Sequence, residues 1–337
     1  MKFKIPFFIA EISANHCGDI NMAKKLIKCA KKNGADAVKL QTFTANTMTL
    51  KSSKKYFKIK KGLWKGFQLW DLYNKAHTPF KWHKELFKYS RSIGLEIFST
   101  PFDETAVDLL ESLNCKFYKI SSFEMNDLPL IKKIAKTKKP VIISTGTSNL
   151  AEITETYNFA KKNKIKDLTL LYCVSNYPSK PEDFNLNNIK ILKKKFKCRI
   201  GLSDHSTNNN IAMAAVAAGA DMIEKHIGLE NQKKGLDIKF SLKGRAIKKF
   251  RKDIDFVYNL MGKNEFFRNK NEHESKKFRR SIFAIKDIKK GEFFSNQNIK
   301  RIRPGNGLPP KYYERLINKK SKFSIKKGEP ITKKFII

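Results

Sequence analysis

Along the first 230 positions, short runs of apolar, β-branched and aromatic residues alternate with longer segments whose apolar positions recur every three or four residues. The short runs span residues 7–13, 37–43, 96–102, 117–124, 140–146, 168–175, 199–206 and 221–229, eight in all. The periodic segments between them predict helices, and two of these stop at a glycine: 22–33 before Gly34 and 80–93 before Gly94. Eight strands alternating with helices is the pattern of an α/β fold of the (β/α)8 or TIM barrel type, whose site is built at the C-terminal strand ends. A doubly wound open sheet competes, but it usually carries a glycine-rich phosphate loop after its first strand, and this sequence has none.

After a last helical segment at 243–261 the pattern weakens. This divides the chain into a barrel at 1–262, a polar, charged linker at 263–277 and a small β-rich module at 278–337. The module repeats a Lys-Lys-Gly turn, ending at Gly291 and again at Gly328. It is too small to do much catalysis alone and is expected to complete another site or bind a partner. The connection at 44–78 is long and aromatic-rich, with Trp64, Trp70 and Tyr73. At the top of a barrel such a loop serves as a lid or specificity wall; a surface helix packed by its tryptophans is the alternative.

The C-terminal ends of the runs are unusually polar. They carry Glu11, Asn15 and His16; Lys39 and Gln41; Ser99 and Thr100; Lys119, Ser121, Ser122 and Glu124; Ser144 and Thr145; Ser175 and Tyr177. Any one of these could cap the next helix, but six strands in a row point to a site. Lys39 and Lys119 with the hydroxyls would suit a phosphate, and Glu11 and Glu224 offer acid–base or hydroxyl-binding groups. His205 and His226 end two runs that flank one alanine-rich helix at 211–220, so a βαβ unit would bring both imidazoles to the same sheet edge. They are candidate metal ligands. Two neutral imidazoles suit Mn, Fe, Co, Ni or Zn better than Mg and leave positions open for water and substrate. Their spacing alone does not separate this from two histidines bonded to backbone at strand ends.

Composition changes little. The chain has 337 residues, and a hydrophobic content of 41% suffices for a core. Residues 1–10 lead directly into the first run and no stretch of 18 uncharged apolar residues occurs, so a soluble, cytoplasmic protein without signal peptide or membrane span is expected. Five scattered cysteines without a C-x-x-C pair predict reduced thiols, and Cys17 beside His16 lacks a third group for chemistry. A formal net charge of +39 suggests nucleic acid, yet only ten of the 70 basic residues are arginine and the lysines are spread over helix faces. No specific nucleic-acid partner is expected, only low-salt adhesion to polyanions.

Eight motifs in order carry a resemblance: Ala-Glu-Ile-Ser-Ala-Asn-His at 10–16, Val-Lys-Leu-Gln-Thr at 38–42, Ser-Thr-Pro-Phe at 99–102, Tyr-Lys-Ile-Ser-Ser-Phe-Glu at 118–124, Ser-Thr-Gly at 144–146, Gly-Leu-Ser-Asp-His at 201–205, Ile-Glu-Lys-His at 223–226 and Arg-Pro-Gly-Asn-Gly at 303–307. Nearly the whole chain resembles the sialic acid synthase family, in which a phosphoenolpyruvate-condensing barrel is joined to an antifreeze-like (SAF) domain. Within it, residues 63–73, 76–83 and 307–313 are most similar to the pseudaminic acid synthases. Ser13-Ala14 stands where neuraminate synthases more often carry glycine and another small residue, and the acidic, lysine-poor composition of many relatives is absent.

The resemblance implies condensation of phosphoenolpyruvate with the open-chain aldehyde of 2,4-diacetamido-2,4,6-trideoxy-L-altrose to give pseudaminic acid and phosphate. It implies a divalent metal on His205 and His226, manganese with magnesium or cobalt as alternatives, that polarises the aldehyde. It implies that Lys39, Thr100, Lys119, Ser122, Ser144 and Ser203 hold phosphoenolpyruvate, and that Gln41, Tyr177, Glu224 and Asp237 hold the sugar. Glu11 would aid proton transfer or orientation, and Arg303 would reach from the SAF domain of one subunit into the barrel of the other in a homodimer. The alternatives are N-acetylneuraminate or legionaminate synthesis by the same mechanism, with the Trp64–Trp70 segment as discriminating feature, and a non-catalytic carbohydrate- or polyanion-binding protein.

Overall fold

The computed structural model describes residues 4–262, 265, 266 and 268–336. All eight runs form strands: β1 (Phe7–Glu11), β2 (Ala37–Thr42), β3 (Glu96–Pro101), β4 (Tyr118–Ile120), β5 (Val141–Ser144), β6 (Leu168–Cys173), β7 (Arg199–Asp204) and β8 (Met222–Gly228). Each pairs in parallel with the one before it, and β1 also pairs with β8, setting Glu11 opposite His226 and closing the barrel. The strands are shorter than the runs predict. Ser13, Ser122, Ser175 and Ser206 leave the ladder; at Ser122 and Ser206 the hydroxyl bonds to loop backbone, to the Gly146 N–H and the Asn208 carbonyl, which ends a strand rather than extends it.

The helices follow the expected faces. Ile20–Lys32 is capped by Asp19, buries Leu26 and Ile27, and gives way to Gly34. Phe80–Ser92 buries Leu86 and Phe87. The alanine-rich helix is Asn210–Ala217, three residues shorter at its C-terminus than the pattern suggested. The last barrel helix starts at Arg245, not at 243, because Leu242 and Lys243 pair with Ile227 and Gly228 as a short ninth strand. Gly244 makes this turn at φ +48°, where an added Cβ would meet the Glu230 Cα at 2.6 Å.

One glycine sets the spacing of β7 and β8. A Cβ on Gly201 would lie 2.3 Å from the carbonyl oxygen of Met222, so any side chain there would part the two histidine-bearing strands. Just beyond, Asp204 and Lys225 form a fully buried ion pair at 2.7 Å; Lys225 also donates to the Ser206 carbonyl, and the Ser206 N–H donates back to Asp204.

The second unit spans Lys263–Ile337. Of the expected linker, residues 263, 264 and 267 lie outside the described residues, while Lys270–Glu274 and Ser275–Phe278 are helical where a structureless segment was expected. Strands β10 (Ser281–Ala284) and β11 (Ile299–Ile302) pair antiparallel over a core that includes Ile282, Phe294, Ile299 and Ile331. The two Lys-Lys-Gly turns face each other: Ile288 and Ile325 exchange backbone hydrogen bonds at 2.8 Å, and Gly291 and Gly328 both have positive φ. Among the described residues no helix is long and apolar enough to cross a membrane, and the five cysteines are unpaired.

Two buried histidines wedge the long insert against the barrel. His83 shares a hydrogen bond with Thr42 Oγ1 (2.8 Å), which bonds in turn to Ser99 Oγ (2.6 Å). His16 accepts from the Gly18 N–H through Nδ1 and contacts Thr78 Oγ1 at 3.3 Å through Nε2. Burial lowers both imidazoles from the usual 6.5 to about 4. The folded state therefore binds fewer protons than the unfolded chain between these values, and stability falls as pH drops from about 6.5 towards 4. Each histidine removes on the order of 3 kcal/mol by the lower limit. Melting curves recorded from pH 7.5 to 4.5 should show this loss, and a His83→Gln chain should show a shallower one.

Candidate active site

A cavity of about 390 Å³ opens at the C-terminal ends of the strands. Eleven of the fourteen residues predicted from the sequence line it: Lys39, Gln41, Lys119, Ser122, Ser144, Tyr177, Ser203, His205, Glu224, His226 and Asp237. Sequence alternation explains the convergence, since residues two apart on one strand share a face: Lys39 and Gln41 on β2, Glu224 and His226 on β8.

The floor is a buried charge network. Glu224 lies 3.4 Å from the Lys119 ammonium and 3.6 Å from that of Lys39, and it accepts from Ser203 Oγ at 3.0 Å. Burial alone would raise its pKa, but Lys119 and Lys39 hold it at about 2. Glu224 is thus a permanent anion that accepts hydrogen bonds and does not serve as a proton donor near neutrality. Burial lowers the Lys119 pKa despite Glu224 nearby. The Lys39 ammonium is kept charged by Glu11 and Glu224 against the same burial. Ser144 Oγ is buried with no hydrogen-bond partner among the described residues, and an unfilled hydroxyl beside two ammonium groups is a ready donor to an oxyanion.

Above the floor stand the two imidazoles, their centroids 5.3 Å apart. His205 Nδ1 lies 3.3 Å from the Val174 carbonyl and 3.7 Å from Cys173 Sγ, which leaves Nε2 as the nitrogen free of these contacts. Burial would raise the Cys173 thiol, yet His205 brings it to about 7 and is itself raised in return. His226 Nδ1 is buried without a hydrogen-bond partner, 3.7 Å from Asp237. Burial, His205 and the lysine ammonium groups nearby push its pKa well down, which favours the neutral imidazole. Two imidazoles side by side offer nitrogens of the kind that bind a divalent cation. Among the described residues no third His, Cys, Asp or Glu joins them as a metal-binding group, so further positions would fall to water and substrate.

Asp237 is placed by the turn after β1. Ser13 enters the left-handed region at φ +40°, its N–H donating to Glu11 at 2.5 Å. Asn15 then accepts from the Asp237 N–H and donates to the Ile227 carbonyl and Ser241 Oγ, tying the loop after β8 to the loop after β1. Burial raises the Asp237 carboxyl above its usual range.

Three predicted residues do not reach the cavity. Glu11 and Thr100 are fully buried against Lys39, Glu11 as its ion-pair partner and Thr100 accepting from it at 3.2 Å, and neither lines the cavity. Arg303 belongs to the second unit, where it borders a shallow surface cavity with Arg279 and Arg280. The structure adds Glu124, whose carboxylate accepts from Ser121 Oγ and is raised by burial, together with Ser13 and Ser175. The polar ending of the fourth run was the available signal for Glu124. The insert splits the tryptophans: Trp64 lines the cavity, whereas Trp70 donates to Asn46 Oδ1 at 2.7 Å and carries Lys51 over its ring.

Residues 26–266 match the NeuB family and residues 279–337 the SAF domain. The chain is 43% identical over 325 residues to the pseudaminic acid synthase of Campylobacter jejuni, covering 96% of this chain and 95% of that one. It is 40% identical to the N,N'-diacetyllegionaminic acid synthase of the same species, covering 97% and 99%. A crystal structure of the N-acetylneuraminic acid synthetase of Leptospira borgpetersenii in complex with citrate superposes with a TM-score of 0.73 at 29% identity, covering 81% of this chain and 90% of that one.

The ion pair behind the histidines makes a stability prediction. Replacing Lys225 by Met leaves Asp204 buried without its partner and should cost about 3–5 kcal/mol in denaturant unfolding. The double variant Asp204→Leu with Lys225→Met should recover most of that loss. Equal stability of Lys225→Met and the unaltered chain would show that the pair does not hold the strand ends.

Proposed function

Because the chain belongs to the NeuB family, with a SAF domain after the barrel, we propose that it is a pseudaminic acid synthase. It condenses phosphoenolpyruvate with the open-chain aldehyde of 2,4-diacetamido-2,4,6-trideoxy-L-altrose and water to give pseudaminic acid and phosphate. The observation that carries this reading is one cavity in which two buried lysines and an unpartnered serine hydroxyl face two buried imidazoles. The 43% identity to the C. jejuni pseudaminic acid synthase over nearly the full length supports the choice of acceptor.

Lys119, Ser144, Ser122 and Ser203 bind the anionic groups of phosphoenolpyruvate, with Lys39 completing the cationic floor. Gln41, Tyr177, Glu224 and Asp237 orient the sugar, Glu224 accepting from a hydroxyl. His205 and His226 would hold a divalent cation, manganese or alternatively magnesium or cobalt, which would supply Lewis acidity toward the aldehyde oxygen. C3 of phosphoenolpyruvate then forms the new bond to the aldehyde carbon, whose oxygen takes up a proton. Water adds at C2, and the tetrahedral centre expels phosphate by breaking the C–O bond. Asp237, with its raised pKa and its place beside His226, is the carboxyl suited to passing a proton at the aldehyde end. Lys39 stabilises the anionic side of this charge shift, held in place by Glu11 and Thr100. Phosphoenolpyruvate is a cytoplasmic metabolite, so the reaction belongs in the cytoplasm.

Arg303 is proposed to complete this site from the second subunit of a homodimer. Arg303→Ala and Lys119→Ala chains, each inactive alone, should regain up to about a quarter of full activity when refolded together, because random pairing leaves one heterodimer site intact. No recovery above either parent sinks the shared site.

The acceptor is tested by phosphate release from phosphoenolpyruvate with Mn²⁺ and, in parallel, the altrose derivative, N-acetylmannosamine and the legionaminic acid precursor. Release should be fastest with the altrose derivative, should stop after chelation and should return with added Mn²⁺. Preference for another sugar replaces the acceptor and keeps the chemistry. Silence with all three favours a carbohydrate-binding protein, and full activity after chelation removes the metal.

A further inference from the structure

We propose that Trp64 fixes the acceptor by walling the outer half of the cavity with hydrocarbon, so that the far end of the sugar must carry a methyl group rather than a hydroxymethyl. This rests on the reading that the protein condenses phosphoenolpyruvate with an acetamido sugar.

Four observations lead there. The first is the shape of the insert, which folds into a small hairpin. Lys58 and Gln68 form an antiparallel bridge, the Ile59 N–H donates to the Phe67 carbonyl at 2.9 Å, and the Gly66 N–H donates to Ile59 at 2.9 Å. Gly62 and Gly66 take φ +83° and +96°, a conformation that side chains disfavour, and the turn between them presents Trp64 to the cavity.

The second is that the indole is fixed and its one polar atom is spent. Nε1–H donates to the Leu236 carbonyl at 3.3 Å, and the ring lies 5.5 Å from Tyr177 at a 45° tilt. The third is the company it keeps. Met48, Ile59, Leu69 and Leu72, from the same connection between β2 and β3, also line the cavity and are all hydrocarbon or thioether, with Tyr73 adding an aromatic ring. The fourth is the polarity of the opposite end: Tyr177 stands 4.5 Å from His205, so the aromatic wall begins where the aldehyde-binding imidazoles end.

An open-chain sugar with its aldehyde at His205 and His226 therefore extends its last carbons along Tyr177 towards Trp64. A terminal hydroxyl set against Trp64 and these aliphatic side chains would give up water without gaining a partner from them, whereas a methyl group packs against them. Such a wall discriminates modestly, by about 10- to 100-fold, since an apolar pocket cannot strongly reject an added hydroxyl.

The test compares kcat/KM for the altrose derivative, which has a methyl at C6, and N-acetylmannosamine, which has a hydroxyl there, in the full-length chain with Mn²⁺. Trp64→Ala should lower the ratio between the two sugars by about tenfold or more, with the KM for phosphoenolpyruvate unchanged. Leu69→Asn, which places an amide on the same wall, should shift the ratio in the same direction and serves if Trp64→Ala fails to fold. A ratio unchanged in both variants, or equal losses for both sugars with a raised KM for phosphoenolpyruvate, overturns the role of Trp64 while leaving the proposed function standing. An unaltered chain that turns over N-acetylmannosamine and not the altrose derivative overturns the proposed acceptor itself, and this inference with it.

Discussion

The barrel's chemistry depends on burying two lysine ammonium groups side by side in the space where a (β/α)8 fold ordinarily packs hydrocarbon. An unpaired charge at that depth costs several kcal/mol. Glu224 sits between Lys39 and Lys119, and Glu11 closes on Lys39 from behind. The four charges cancel, which allows the floor to exist before any ligand arrives. An anion that enters finds its cations already desolvated and oriented, so little reorganisation remains to oppose binding. The same arrangement separates the carboxylates: two ammonium groups hold the Glu224 carboxyl down at about 2, while burial raises the Asp237 carboxyl above its usual range.

Around this floor the loops are joined to one another more than to the strands that precede them. Asn15 links the turn after β1 to the loop that carries Asp237, and the Trp64 indole ties the insert to Leu236, the residue before Asp237. His16 and His83 anchor the other end of the insert against the turn after β1 and against β2. The Trp64 side of the cavity and the carboxyl beside His226 are therefore parts of one connected rim.

Much of this was legible in the chain itself. Eight apolar runs, each ending in polar residues, were enough for the barrel, because parallel strands covered on both faces leave an uninterrupted apolar signature. Strand alternation brought Lys39 with Gln41 and Glu224 with His226 to one face. What sequence could not supply was depth. Glu11 and Thr100 share motifs with cavity-lining residues, yet both are buried against Lys39 and neither lines the cavity. Nor could spacing tell Trp64 from Trp70, since the choice is made by two glycines with positive φ and by Asn46, which occupies the Trp70 donor. The short ninth strand was hidden because two residues are too few for a period, and the lysine-rich end of the expected linker forms helical turns through a local cap at Asn269.

The lysine-laden surface and Gly201 stand at opposite ends of what descent can alter. Helix faces in water can gain lysines as genome composition drifts, at little cost to folding, and a net charge of +39 is compatible with an intact barrel. At position 201 a single methyl group would press to within 2.3 Å of the Met222 carbonyl oxygen and pry apart the strands that carry both histidines. The exterior tolerates almost any charged side chain, while position 201 admits none without moving the two strands.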